Sequence, residues 1–285
     1  MVAPSVLLVA GLLYLPFLWS LYLSFTHYDG TGSPKWAGLA NYHTLWNDPV
    51  LGTTLRNTGY WVVGTLVLPV GLGLLIAVLT YQLKGGAWLR LPFLLPYAIS
   101  GTATAVVWGF MLGDHGAINS LLSALHLPGG HVSLLQNAPL NTIVMVLAQT
   151  WQSIGVNILL FVIGLQSIPR ETLEAARVDG ATGWTLFSKI IWPLLRPLTA
   201  VVVGLALVAG LKTFDLVWIM TQGGPGRSSE TLSVTMYRDA FVGNDYGYGA
   251  AVAVLLTVVG LVVSALYLGR QAGSKREFDV TGGGR

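Results

Sequence analysis

In a chain that is 53% hydrophobic and 9% charged, the residues able to do chemistry are few. Lys212, Thr213 and Asp215 fall inside one long apolar run, near Trp218. Gln149, Gln152 and Asn157 fall inside another, beside Trp151. Together they offer donors, acceptors and flat aromatic faces, which is what a polyol requires. Such polar groups are costly in lipid and usually face a bundle interior or a water-filled path. Lys212 and Asp215 stand three residues apart, close enough to pair on one helix face. Two readings are open. These groups neutralise one another and bond helix to helix, or they line a hydrophilic path. On a path, Lys212 suits a phosphate-bearing or acidic solute, and Asp215 the hydroxyls of a sugar.

No comparable set supports catalysis. The phosphate loop G-x-x-x-x-G-K-[ST] is missing, so the chain is not expected to hydrolyse ATP itself. Neither H-E-x-x-H nor G-x-S-x-G occurs. His27, His43, His115, His126 and His131 are scattered through polar stretches without metal-ligand spacing. The absence of Cys excludes a disulfide framework and a Cys-based metal site.

The composition places these residues in a membrane. A soluble domain carries about 25% charged residues, and this chain cannot build such a surface. A span needs about 20 apolar residues to cross about 30 Å. Val2–Phe25 is long enough and lacks the basic start of a secretory signal, so it is expected as an uncleaved first span, kinked at Pro16. Further spans are expected at Asn57–Leu83, Pro92–Leu112, Pro139–Leu165, Leu198–Met220 and Tyr248–Leu268, giving an all-α bundle of six. The bundle takes residues 1–268, and the Gly-rich, charged tail 269–285 reads as disordered.

Charge orients the bundle. With the N-terminus inside, the inner loops and tail hold Lys84, Arg90, Arg170, Arg177, Lys189, Arg196, Arg270, Lys275, Arg276 and Arg285. The outer loops hold Lys35, Arg56, Arg227 and Arg238. Basic residues concentrate on the cytoplasmic side of membrane proteins, so both termini and the loop after the fourth span are expected there.

That loop, residues 169–197, reads E-T-L-E-A-A-R-V-D-G-A-T-G-W-T-L-F-S-K-I-I-W-P-L-L-R-P from Glu171. Pro169 sets a helix start and Glu171 puts an acid in its positive first turn. Asp179-Gly180 is a stop, with Gly180 free to turn left-handed. Thr182 is placed to cap a second helix, whose apolar face is Trp184, Phe187 and Ile190/Ile191. Pro193 and Pro197 end the pattern. Glu171, Glu174 and Asp179 offset the basic residues, so the helix-turn-helix has no nucleic-acid-binding stripe.

Glu174-Ala175-Ala176, Asp179-Gly180, Ile190 and Pro193 resemble the EAA signature of permease subunits of binding-protein-dependent ABC importers. Trp192 stands where that family usually has Leu. The resemblance implies a cytoplasmic coupling loop that docks on an ATPase subunit. A second likeness is Phe214-Asp215, Thr221-Gln222-Gly223-Gly224-Pro225, Glu230-Thr231-Leu232, Tyr237 and Ala240-Phe241, with Gly38-Leu39-Ala40-Asn41-Tyr42 near the start. These are similar to the carbohydrate-uptake branch, the MalF-like and UgpA-like permeases. By itself Gly223-Gly224-Pro225 is only a turn after a helix.

The resemblance implies half of a translocation path for a sugar or glycerol-phosphate-type solute. It implies a second homologous permease, two ATPase subunits carrying ATP and Mg, an external solute-binding protein, and a bacterial or archaeal plasma membrane. No cofactor, metal or nucleic acid is expected on this chain. The path candidates are Trp151, Gln152, Asn157, Lys212, Thr213, Asp215 and Trp218. The rivals are a stand-alone secondary transporter, which would show internal repeats and in-span carboxylates, and a membrane-embedded transferase, which would show convergent carboxylates or His at the membrane surface.

Overall fold

The computed structural model describes residues 3–126 and 132–282. His131 and Arg285 lie outside the described residues. Helices α1 (Ala3–Val9) and α2 (Leu15–Leu23) are joined by a π-turn at Ala10–Tyr14. Pro16 has no N–H and its ring crowds the carbonyl four residues back, and the wider turn just before it relieves that crowding. A hairpin, β1 (Thr26–His27) with β2 (Lys35–Trp36), pairs Thr26 with Trp36 and His27 with Lys35. The Asn41 amide donates to Ser24 O and Thr26 O at 3.0 and 2.8 Å and holds the hairpin to the chain.

Then follow α3 (Ala40–Trp46), α4 (Leu51–Thr80), α5 (Gly86–Leu94), α6 (Gly101–Leu112), α7 (Ala117–Ala124) and α8 (Leu140–Gln166). After these come α9 (Arg170–Val178), α10 (Gly183–Leu186), α11 (Trp192–Leu211), α12 (Asp215–Met220), α13 (Leu232–Tyr237) and α14 (Tyr246–Gly282). Among the described residues, five helical stretches are long and apolar enough to cross a membrane, and a bent pair, taken as one span, gives six. The all-α, six-span architecture expected from the sequence is the one observed.

Its details differ in four places. The third span is not one rod. α5 ends in a tight turn at Leu95–Ala98, Ile99 is extended, and the chain before and after is bent by 99°. Pro96 cannot donate a helical bond, and Ser100 starts α6 afresh by accepting from the Ala103 amide at 3.2 Å. The fifth span starts earlier than expected, because Pro193 sits in the first turn of α11 where its missing N–H costs nothing, and Pro197 lies inside the helix. A π-turn at Phe187–Ile191 joins α10 to α11, so the two prolines do not end the pattern. That same span is interrupted at Lys212–Phe214. Finally, α14 continues through residues 269–282, where a disordered tail was expected. Gln, Ala, Lys, Arg and Glu in this stretch form helices well, and extending an existing helix avoids the cost of a new nucleus.

Lipid supplies no hydrophobic force between spans, so close packing over small residues holds them together. A Cβ on Gly64 would stand 2.4 Å from Val146 Cγ1, and one on Gly73 2.6 Å from Asn157 Cβ, both across the α4–α8 seam. One core joins Ala77 of α4, Ile158, Phe161 and Leu165 of α8, and Leu195 and Val202 of α11. Leu173 and Ala176 of α9 belong to that same core. A second core gathers Trp61, Met145, Leu216, Val217 and Val234 at the other end.

Candidate functional site

The two interrupted spans meet. Gln152 on α8 donates from Nε2 to Ile99 O at 2.7 Å, at the break in the third span. Asp215 opens α12 just past the other break and lies against the first residue of α6: a Cβ on Gly101 would be 3.0 Å from its Oδ2. The carboxylate is therefore beside the positive end of α6. Lys212 closes α11, at that helix's negative end. Each charge is thus matched by a helix terminus.

No ion pair between Lys212 and Asp215 exists among the described residues. The reading in which they pair on one helix face needs a continuous helix, and the break removes it. Both side chains are exposed.

The other candidates divide. Trp151 packs edge-on against Trp108 with centroids 5.7 Å apart, and Trp218 stacks on Phe214 at 5.8 Å. Asn157 is 8% exposed, donates to Ser153 O on its own helix and presses on Gly73. Its place is the α4–α8 seam. Thr213 bonds back to Ala209 O at 3.1 Å. Of the candidates, Gln152 and Asp215 are brought to the two sides of the Ile99–Gly101 break, and Lys212 lies three residues before Asp215. Among the described residues no three His, Cys, Asp or Glu side chains gather as a metal site.

Beside the first turns of α4, where Asn57 donates to Glu230 O, lies a buried charge cluster that the sequence does not announce. Glu230 is 0% exposed. Arg227 donates to it twice, at 2.7 and 3.0 Å, Thr235 Oγ1 donates at 2.8 Å, and Arg238 stands 3.7 Å away. Asp48 adds a contact to Arg227 at 3.4 Å. Nearby, burial pushes the Asp239 carboxyl up to about 6, against the pull of Arg227. The usable signal was the run Ser228–Thr235, S-S-E-T-L-S-V-T, whose hydroxyls crowd one acid beside apolar residues.

At the opposite end, α9 closes as a Schellman turn: Ala181 N–H donates to Ala176 O at 2.9 Å and Gly180 N–H to Arg177 O at 3.0 Å. Gly180 takes φ +84°, as expected from Asp179-Gly180. Thr182 precedes α10 in extended conformation but makes no side-chain cap bond. Glu174, Ala175 and Asp179 are exposed, Ala176 is buried, and Ile190 and Pro193 are half-buried. Val178 and Trp184 flank the turn and are 88% and 76% exposed. Arg177 donates to Gln82 Oε1 at 2.8 Å and ties the turn to the end of the second span.

A helical membrane bundle whose spans break around polar residues is the architecture of a transport protein. Residues 69–269 match the binding-protein-dependent transport system inner membrane component family, and the chain belongs to it. It is therefore a permease subunit of an ABC importer. It is 34% identical, over 94% of this chain and 92% of the relative, to the multiple sugar-binding transport system permease MsmF of Streptococcus mutans. It is 33% identical, over 93% and 91%, to the sn-glycerol-3-phosphate transport system permease UgpA of Agrobacterium fabrum. The fold matches a chain in the crystal structure of a bacterial alginate ABC transporter bound to an alginate-loaded periplasmic protein, with TM-score 0.82 and 21% identity over 94% of this chain and 91% of that one.

Proposed function

We propose that this subunit forms half of the translocation path for a sugar or glycerol-phosphate-type solute, with a second homologous permease forming the other half. The observation that carries this is the meeting of two broken spans, with Gln152 at Ile99 and Asp215 at Gly101. Relatives named for sugars and for glycerol 3-phosphate support the solute class. At this site the solute exchanges water for fixed donors and acceptors, while Trp151 and Trp218 offer flat faces to a sugar ring. An external binding protein delivers the solute. Two ATPase subunits, which hold the ATP and Mg, dock on the coupling loop 169–197 in the cytoplasm, where both termini also lie. Alternating access follows from rocking of the bundles about the site.

The test of the path is uptake into proteoliposomes beside detergent melting, with a panel of sugars and glycerol 3-phosphate presented on the cognate binding protein. Lys212→Met and Asp215→Leu should each assemble and melt as wild type, because neither charge neutralises the other. Uptake should fall about tenfold or more in each, the worth of one charged hydrogen bond. The double variant should not recover it. Recovery of uptake in the double variant would remove both residues from the path.

The test of docking is Gly180→Val. A β-branched side chain at φ +84° costs about 1–2 kcal/mol and tilts α9 against α10. The variant should insert normally, while ATPase attachment and uptake drop together. Uptake at the wild-type level would rule out docking through this turn.

A further inference from the structure

The interruption of the fifth span has no cause in its own sequence. Residues 206–216, A-L-V-A-G-L-K-T-F-D-L, contain no proline, and one glycine does not stop a helix. Yet the amides of Thr213 and Phe214 make no helical bond. Such a break at membrane depth leaves carbonyls unpaired, at several kcal/mol each unless other groups bond them.

Those bonds come from elsewhere in the chain. Ser233 Oγ donates to Leu211 O at 3.2 Å, and Thr231 Oγ1 donates to Thr213 O at 3.1 Å. Both hydroxyls belong to the segment 229–235, every residue of which is buried. This wedge is pinned from its other side. Asn57 Nδ2 donates to Glu230 O at 3.1 Å, the Leu232 amide donates to Thr58 Oγ1 at 3.1 Å, and Arg227 grips the Glu230 carboxylate.

We infer that Thr231 and Ser233 are positioning residues: their hydroxyls replace the helical partners of Thr213 O and Leu211 O and hold the fifth span open at Lys212–Phe214. The break keeps Lys212 and Asp215 on separate helix ends instead of one face. Withdrawal of the wedge returns those carbonyls to the helical ladder, fuses α11 with α12, and brings Lys212 and Asp215 to helical pairing distance. The outer segment thereby controls whether the polar site is presented. Only this last consequence rests on the path reading.

The experiment is hydrogen exchange at peptide resolution on the purified transporter in nanodiscs, without solute. Thr231→Val with Ser233→Ala removes the two hydroxyls at nearly constant shape. Exchange across residues 213–216 should then slow about tenfold or more as the ladder re-forms. Thr231→Ser with Ser233→Thr keeps the hydroxyls and should exchange as wild type. Unchanged exchange in the Val/Ala variant overturns the inference. So does faster exchange throughout the spans, which would make the hydroxyls general supports of the fold. No solute enters the measurement, so it fails only with the clamp, whereas the Lys212→Met uptake assay fails only with the path reading.

Discussion

Glu230→Ala is expected to destabilise the protein by about 3 kcal/mol, at the lower end of the range for removing one partner from a buried ion pair. The carboxylate is fully buried and accepts bonds from Arg227 and Thr235. Without it, Arg227 keeps one ion-pair partner among the described residues, Asp48 at 3.4 Å. The arginine side chains are 29% and 31% exposed, so water takes over part of the lost solvation, which sets the lower end of the range. Glu230→Gln retains an acceptor for Thr235 and should cost less. Arg227→Met combined with Glu230→Leu should restore part of the loss, because it leaves no lone charge behind. Thermal melting of the purified subunit in detergent reads all three. Melting of Glu230→Ala at the wild-type temperature would show that the cluster does not hold the outer segment in place.

Two expectations that depended on local physics agree with the structure. Gly180 is left-handed because Asp179-Gly180 can only be a helix stop, and the apolar runs are spans because nothing else can be done with them in water. Expectations that depended on tertiary context do not. Nothing between Ala206 and Leu216 announces a break, since its cause sits some twenty residues further on, in hydroxyls of the 229–235 segment. Pairing of Lys212 with Asp215, one of the two open readings, requires a continuous helix and fails for that one reason. In the sequence Pro193 reads as a terminator, because a proline ends most helices. A π-turn ahead of it lets it start one instead. Asn157 shows the reverse case: a polar side chain in a span fits either a path or a helix contact, and this one presses on Gly73 in a helix seam.

Gly155→Val is expected to be the most damaging single substitution near the site. Gly155 lies on α8 where the chain of α5 crosses it. A Cβ there would stand 2.3 Å from Phe93 O and 3.0 Å from Leu94 Cα. These are backbone atoms, so no rotamer change makes room, and α5 as a whole must move away. Overpacking of this kind costs about 1–3 kcal/mol even where side chains can adjust, and here they cannot. The displacement also reaches the polar site, because the Ile99 carbonyl follows five residues after Leu94 and is held by Gln152 one turn before Gly155. Gly155→Ala should therefore separate the two effects. It asks for a smaller shift, so the subunit should still assemble with a lowered melting temperature, while uptake falls further than melting alone predicts. Gly59→Ala is the control: a Cβ at that position meets nothing within 4 Å, and both readouts should stay at wild-type level. If Gly155→Ala melts and transports as wild type, the close crossing of α5 over α8 does not position the break in the third span.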